Sequence, residues 1–205
     1  MTNLSRRMLT MRTGLILGVA LTSLVLGACT KTPPAPRYPA LTYGHHGAIN
    51  LDVASVEFVP LYVAPQAQPH VEHMSPASPM AAMQSWTNDR LRAVGRNGYV
   101  RVVVSNASII ETPLQVTEGL RGWFTTEQAA RYDAVIEVEI QIRDEGNVQR
   151  AFTRAKAERS RSVPEGASIN ARETTLFQLV EATTAEINTE LERSIRQYMQ
   201  LYVRP

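Results

Sequence analysis

Cysteine is scarce in this sequence. The 205 residues include one, Cys29, so no disulfide can form within the chain and no paired-thiol redox chemistry is available. Net charge is also small, with 21 basic and 19 acidic residues, and gives no argument for nucleic-acid binding, which requires a concentrated basic face. The sequence has neither a glycine-rich phosphate loop after a predicted strand nor a Gly-x-Ser-x-Gly element. We therefore expect no nucleic-acid partner, no cofactor and no enzymatic activity.

A short basic and apolar segment begins the chain. Before Cys29 there are three arginines, Arg6, Arg7 and Arg12, no acid, and an apolar run of about 12 residues at 15–26. That length is within the ~7–15 residues of a signal-peptide core and below the ~20 residues of a membrane-spanning helix. The segment predicts export from the cytoplasm, and the arginine pair leaves a twin-arginine signal as an alternative to the general route.

The apolar run ends at Leu26, Gly27 and Ala28, which directly precede Cys29. This pattern resembles the lipobox of bacterial lipoproteins, with leucine at −3 and small residues at −2 and −1. The resemblance implies cleavage before Cys29 and its modification with a diacylglycerol thioether, usually with an added N-acyl group. Several acyl chains give stable membrane anchoring where one does not. Thr30 follows the cysteine where aspartate would favour the inner membrane, so the resemblance implies the periplasmic face of the outer membrane.

The sequence divides into three predicted parts. Residues 1–28 are the lipoprotein signal peptide, 29–47 a tether, and 48–203 a single domain. Without the signal the chain has 18 basic and 19 acidic residues, so most of the basic character of the precursor belongs to its leader. Prolines predict an extended, semi-rigid tether; they are Pro33, Pro34, Pro36 and Pro39.

The domain has the pattern of an α+β fold. We expect an antiparallel-rich sheet of about four strands, with a mid-chain helix and a long C-terminal helix packed on one face. The predicted elements, in order, are a strand at 49–58 with a bulge at 54–55, a helix from Ser78 and Pro79 to Gly95, a turn at Asn97 and Gly98, a strand at 99–111, a short helix at 125–131, a hairpin at 134–163 and a helix at 170–201.

The hairpin has the clearest alternation in the chain. Isoleucine and valine occupy one face of its first strand, and small residues share one face of the second, which suits a helix pressed closely onto the sheet. If the turn centres on residues 145–146, Glu137 lies opposite Arg154 and Gln141 opposite Arg150. The final helix has one apolar stripe at helical spacing, formed by Leu176, Leu179, Val180, Thr183, Ile187, Leu191, Ile195, Met199 and Tyr202.

Titratable residues give weak signals for chemistry. His45 and His46 are adjacent, and Glu72 lies between His70 and His73. Such spacings can bind metal, but both groups fall in proline-rich or turn-rich segments, so we expect solvated histidines and no metal site.

Two acid–base patterns have a structural and a catalytic interpretation. Glu137 and Glu139 on one strand face could form a hydrolytic carboxylate pair, although opposing arginines favour a structural ladder. Asp89 and Arg90 are expected on a solvated helix face. The alternately basic run 150–161 is likewise expected to be a solvated sheet face, in preference to a groove for anionic lipid or nucleic acid.

Aromatic residues provide the partner-binding candidates. Trp123 and Phe124 are adjacent in a glycine-flanked loop, where large aromatics are costly to expose. One interpretation is a hydrophobic staple, with Phe124 packing on the short helix; the other is a tip that contacts a partner or lipid. Trp86, on the apolar face of the mid-chain helix, is expected in the core.

The order of elements resembles the small envelope lipoproteins that are auxiliary components of ABC-type transport systems, and their uncharacterised relatives. The likeness consists of a lipobox, a proline-rich tether, a strand, a helix carrying Trp86 with Asp89, Arg90 and Leu91, further strands and a long terminal helix. It implies a non-enzymatic, protein-binding accessory role in an envelope transport or assembly complex. A carrier of a lipid or other apolar ligand between helix and sheet is the alternative, and a hydrolase the third.

Overall fold

The structure is a computed structural model that describes residues 38–114 and 128–205. These ranges contain seven strands, two α-helices and three short 3-10 helices at Gly44–His46, Glu72–Met74 and Gln200–Tyr202. The strands and α-helices, in chain order, are β1 Ile49–Leu51, β2 Ser55–Pro60, α1 Pro79–Arg90, β3 Leu91–Ala93, β4 Tyr99–Pro113, β5 Gln128–Arg143, β6 Gln149–Pro164, α2 Ile169–Tyr198 and β7 Val203–Arg204.

The strands form two sheets. The larger has the order β2-β4-β5-β6, with β2 parallel to β4 and the other two pairings antiparallel. The smaller has the order β3-β1-β7, with β1 parallel to β3 and antiparallel to β7. Together with the mid-chain helix α1 and the long C-terminal helix α2, this arrangement confirms the predicted α+β class.

The core lies between the larger sheet and the two helices. Alternate residues of β5 are buried because one face of the strand is covered, as its sequence predicts; they are Ile136, Val138, Ile140 and Ile142. The predicted stripe is buried from Leu176 to Ile195 of α2, with Ile187 and Leu191 at 0% exposure, and Met199 just after the helix is buried too. Trp86 is also 0% exposed, which confirms its predicted place in the core.

The register of the hairpin differs from the prediction by two residues. Glu137 pairs with Lys156, and Glu139 takes the position opposite Arg154. The cause lies at the turn, where the pairing shifts next to Arg143 and Asn147 adopts a left-handed φ of 63°. Because strand side chains alternate with a period of two, this shift changes every partner but moves no side chain to the other face.

The predicted bulged strand at 49–58 is two strands in different sheets. β1 belongs to the smaller sheet and β2 to the larger. Between them Val53 is buried and the Ala54 amide donates to the Gly98 carbonyl at 3.0 Å. The break in alternation at residues 54–55 therefore marks a crossing between sheets. Gly98 has a φ of 66°, which fits the turn predicted there.

Two parts of the helix prediction are wrong: the end of the mid-chain helix, and residues 128–131 of the separate short helix. α1 begins at Pro79 with Ser78 as its cap, as predicted, but it ends at Arg90 because Leu91 enters the core at 4% exposure and its strand pairs with β1. Residues 128–131, predicted as helix, belong to β5, where they pair with the ends of β4 and β6. The remainder of that predicted helix lies outside the described residues.

The packed domain begins earlier than the predicted boundary at residue 48. The Tyr38 ring lies 5.0 Å from the Phe177 ring on α2, and its hydroxyl is 3.1 Å from the Thr174 hydroxyl. Tyr43 is 5% exposed, and its amide donates to the Asp89 carboxylate at 2.7 Å. Residues 38–47 are therefore part of the domain, because they supply core side chains that the tether pattern did not reveal.

A buried hydrogen bond joins the two helices. Trp86 Nε1 donates to Asn188 Oδ1 at 2.9 Å, and Asn188 is 4% exposed. We expect Trp86→Phe or Asn188→Leu to lower the free energy of unfolding by about 1–3 kcal/mol, because each leaves a buried polar group without its partner. Urea unfolding of the purified protein measures the change. The double variant is the control, since removing both partners should cost less than the sum of the single losses; additive losses would contradict this account.

Candidate functional site

Several predicted site residues lie outside the described ranges. They are the lipidation candidate Cys29, its lipobox residues Leu26, Gly27 and Ala28, and the partner-binding candidates Trp123 and Phe124. Within the ranges that the structure does describe, no helix has both the length and the apolar character needed to cross a membrane.

The residues that flank the predicted aromatic loop lie at one end of the sheet. Leu114 donates its amide to the Ala129 carbonyl at 2.9 Å, and Gln128 is paired with Pro164. α2 begins at this same end, since Arg172 in its first turn donates to the Tyr132 hydroxyl at 3.0 Å.

The first described residue, Tyr38, packs on the first turns of α2. We call this end of the domain, marked by Tyr38, Leu114 and Gln128, the tether end. The predicted tether and the predicted aromatic loop therefore meet the described domain at a common end.

A shallow groove of about 640 Å³ lies on the open face of the larger sheet, the face opposite the two helices. Its position follows from the alternation of β5, which turns Val138 toward α2 and Glu139 away from it. Side chains of three strands and of the chain just after β2 line the groove, among them Leu61, Val103, Ser105, Glu137, Glu139, Arg154 and Lys156. The groove thus combines an apolar side with a strip of opposite charges.

Those charges form a cross-strand ladder. Arg154 donates through Nε to Glu139, which also accepts from Gln141 at 2.6 Å. Lys156 lies 3.6 Å from Glu137 and 3.2 Å from Glu158. The structure therefore gives both carboxylates of the predicted pair cationic partners, as the ladder interpretation expects.

Glu139 is held in its charged form. Burial by itself would raise its pKa, but hydrogen bonds from Arg154 and Gln141 and the charges of Arg154 and Arg143 outweigh burial and lower the pKa below its ordinary value. A general acid needs the opposite shift, toward the working pH. The arrangement links β5 to β6 and holds the Glu139 carboxylate between Arg154 and Gln141.

The basic run on β6 faces solvent, as predicted. Arg154 is 73% exposed, Arg150 55% and Lys156 54%. Between them Phe152 is half exposed, with the Arg154 guanidinium carbon 5.6 Å from its ring centroid. Arg150, Arg154 and Lys156 each face a carboxylate of the neighbouring strand or turn, so positive and negative charges alternate on this face and do not form a continuous basic groove.

The two groups of histidines differ: His45 and His46 lie on the surface, whereas His70 packs against Glu72. His45 and His46 are exposed in a 3-10 helix, with ring centroids 4.1 Å apart. Slight burial and the positive charges of His45 and Arg90 lower the pKa of His46. Within the described part of the chain, no group of three or more His, Cys, Asp or Glu side chains could hold a metal ion.

His70 belongs to a polar cluster around the buried Glu72 that the sequence did not reveal. Glu72 is 6% exposed, and its Oε1 accepts from the Tyr62 hydroxyl at 2.5 Å and the Ile109 amide at 3.0 Å, with His70 Nδ1 at 3.2 Å. The expectation of a solvated histidine is wrong for His70, which is 26% exposed. The Glu72 carboxylate attaches the loop after β2 to β4, because it accepts a hydrogen bond from the Ile109 amide. β2 pairs with β4 only as far as Val104 and does not reach this amide.

Arg90 is a second buried charge that sequence analysis missed. It is 1% exposed and donates to the Gly47 carbonyl and the Glu192 carboxylate. Its neighbour Asp89 accepts from the Tyr43 amide. The predicted solvated pair is instead a clamp that holds residues 43–47 against both helices.

The layer between α2 and the sheet is occupied by protein side chains. Ile140 of β5 and Ile187 and Leu191 of α2 are each 0% exposed and belong to one continuous core. This is the place where the alternative hypothesis put an apolar ligand, and the packing there gives that hypothesis no support.

Comparison with known proteins identifies no family. No protein-family model and no curated protein matches the chain. Among solved structures, the rare lipoprotein B from Shewanella oneidensis is 10% identical with a TM-score of 0.34, over 68% of this chain and 94% of that one. A minor lipoprotein from Acinetobacter baumannii is 12% identical with a TM-score of 0.31, over 69% and 95%. TM-scores this low do not establish a common fold or function.

The Glu72 cluster should make stability depend on pH. Burial would raise the pKa of Glu72, but the hydrogen bonds from Tyr62, the backbone and His70 hold it below its ordinary value of 4.5. A lowered folded-state pKa stabilises the protein above the ordinary value, and that contribution is lost as pH falls through the folded pKa. We expect Glu72→Gln to be less stable than the native protein at neutral pH, with the difference shrinking below pH 4.5.

Urea unfolding over a series of pH values measures this difference. Glu57→Gln is the matched control, because Glu57 pairs with Arg101 on the exposed face at 3.0 Å and a surface pair contributes about 0–1 kcal/mol. A stability difference for Glu72→Gln that stayed constant between neutral and acidic pH would show that charge at this position does not matter.

Proposed function

We propose that the protein is a lipid-anchored envelope lipoprotein with a non-enzymatic, protein-binding role in an envelope transport or assembly complex. One observation carries the proposal: Cys29, the only cysteine, follows Leu26, Gly27 and Ala28 at the end of an apolar run of signal-peptide length. Acylation of that cysteine explains why the chain has one thiol, and why a proline-rich stretch follows it.

The described domain is consistent with attachment through a short spacer. Eight residues separate Cys29 from Tyr38, the first described residue, which packs on the domain. The spacer contains Pro33, Pro34 and Pro36, which favour an extended, semi-rigid chain. Thr30 in place of aspartate supports the outer membrane as the destination.

An accessory role is supported by the chemistry of the open face. Glu137 and Glu139 are engaged by Lys156 and Arg154, which bond them to the neighbouring strand. Trp123 and Phe124 are the proposed partner contacts. The residues that flank their loop, Leu114 and Gln128, are at the tether end, so we propose that the partner is engaged on the side of the domain where the anchor attaches.

Removal of the acylated residue should release the protein from membranes. We expect Cys29→Ser to move the protein to the soluble fraction after cell fractionation, because the thioether cannot form. Intact-mass analysis of the native protein should show a chain that begins at Cys29 and carries acyl groups. Thr30→Asp keeps the cysteine and is the matched control: it should stay in membranes and shift toward the inner membrane. A sedimenting Cys29→Ser protein, or an unacylated native chain, would overturn the proposal.

Loss of the loop tryptophan should weaken partner capture without unfolding the domain. We expect Trp123→Ala to reduce the partner recovered from detergent-solubilised membranes at least about tenfold, as for an aromatic hot spot. Crosslinking followed by affinity purification measures recovery, and thermal unfolding measures the fold. Tyr198→Ala, which removes an exposed aromatic from the C-terminal end of α2, away from the tether end, should leave recovery unchanged. A lower melting temperature for Trp123→Ala would place the tryptophan in the core instead.

A further inference from the structure

The outer edge of β6 is long and regular. From Ala151 to Val163 this strand pairs with β5 without a bulge, and it ends the larger sheet. No strand among the described residues pairs with its other side. Such an edge exposes backbone amides and carbonyls that can pair with another chain, and proteins usually interrupt it with a bulge, a proline or charge. Between Ala151 and Val163, β6 has charged side chains but neither a bulge nor a proline.

α2 lies mainly over this last strand. It packs chiefly on β6 and less on β5. Small residues on the helix face of β6 allow the close approach; Thr153 is 4% and Ala157 1% exposed. Because a helix with its side chains is about 10–12 Å wide and strands are about 4.8 Å apart, a helix over the last strand extends beyond the sheet. A further strand beside β6 would therefore be covered by α2 on one face.

Three of the four charged side chains that β6 turns to the open face are positive, and Glu158 is the fourth. Arg150, Arg154 and Lys156 are each more than half exposed. Two of their carboxylate partners, Glu139 and Glu137, are on β5, further from the edge and less exposed at 18% and 40%. Arg150 pairs with Asp144 in the turn, and Lys156 also pairs with Glu158 of β6, which is 57% exposed. An added strand on the outer side of β6 would meet the cations directly.

We propose that the outer edge of β6 binds an extended segment of a protein partner as a fifth strand of the larger sheet. The segment has acidic side chains at alternate positions, which face Arg150, Arg154 and Lys156, and small or apolar side chains between them, which face α2. Backbone hydrogen bonds would supply affinity and the alternate side chains specificity. The inference rests on the protein-binding role proposed above and identifies a surface for it.

A second copy of this chain fits the edge less well. Antiparallel pairing of two β6 strands centred on Arg154 would place the two Arg154 side chains opposite each other, and like charges directly opposite are destabilising. Charge on this edge also opposes self-association in general. A partner strand with acidic side chains would place carboxylates opposite Arg154, so neither effect opposes its binding.

Hydrogen exchange on the full-length protein in detergent tests the proposal. The probe is a short synthetic peptide of alternating glutamate and valine, and the control peptide alternates lysine and valine. At a peptide concentration ten times its dissociation constant, we expect the outward amides of β6 to exchange about tenfold more slowly. The lysine peptide should give no protection, and β2, the opposite edge of the sheet, should be unaffected.

Charge reversal distinguishes edge binding from general attraction. Arg154→Glu combined with Lys156→Glu should abolish the protection. Arg101→Glu should preserve the protection, because Arg101 lies on the same face but on β4, two strands away from β6. If the reversed pair does not fold, Arg154→Gln with Lys156→Gln should still weaken protection.

Three results would overturn the proposal: no slowing of β6 amides by the acidic peptide, equal slowing by the lysine peptide, or concentration-dependent protection without peptide, which would assign the edge to a second copy. None depends on the acyl group, so failure here leaves the Cys29 test standing.

Discussion

The contact between α2 and the β5–β6 hairpin organises this domain. It requires large aliphatic side chains on β5, small ones on β6 and a matching stripe on α2, and the sequence supplies all three. α1 completes the layer through Trp86 and Asn188. Because the helix covers one face of the sheet, the other face is free to carry the ladder of charges, and the groove is a consequence of that division.

Buried charge then attaches the irregular parts of the chain to this layer. Glu72 holds the loop after β2, and Arg90 holds residues 43–47. Both use partners at sequence separations of 37 residues or more. Burying a charged side chain costs free energy that its hydrogen bonds must offset, so the net gain in the free energy of unfolding is small. These contacts therefore mainly determine where the loop and the N-terminal residues lie.

Sequence reasoning succeeded where a residue's environment repeats along one element. The alternation of β5, the stripe of α2 and the Ser78 cap each depend on neighbours within a few residues, and each was predicted. Sequence reasoning failed where the bounds or the pairing of an element depend on residues far away in the sequence. The separation of β1 from β2 depends on β7 at the C-terminus, the end of α1 depends on β1, and the register of the hairpin depends on backbone geometry at Asn147. Glu72 and Arg90 were missed for the same reason, since a charged side chain in a turn-rich or helical segment shows no sign of burial until its partner is known.

The clamp around Tyr43 has a mechanical consequence. Tension applied to the chain upstream of Tyr38 would reach the domain through the Tyr38–Phe177 contact, then through Tyr43, Asp89 and Arg90, before it reached β1. β1 lies between two other strands, so force that arrived there would act on the centre of the smaller sheet. A force applied upstream of Tyr38 would therefore have to break these contacts before it acted on β1 or on the layer between α2 and the sheet.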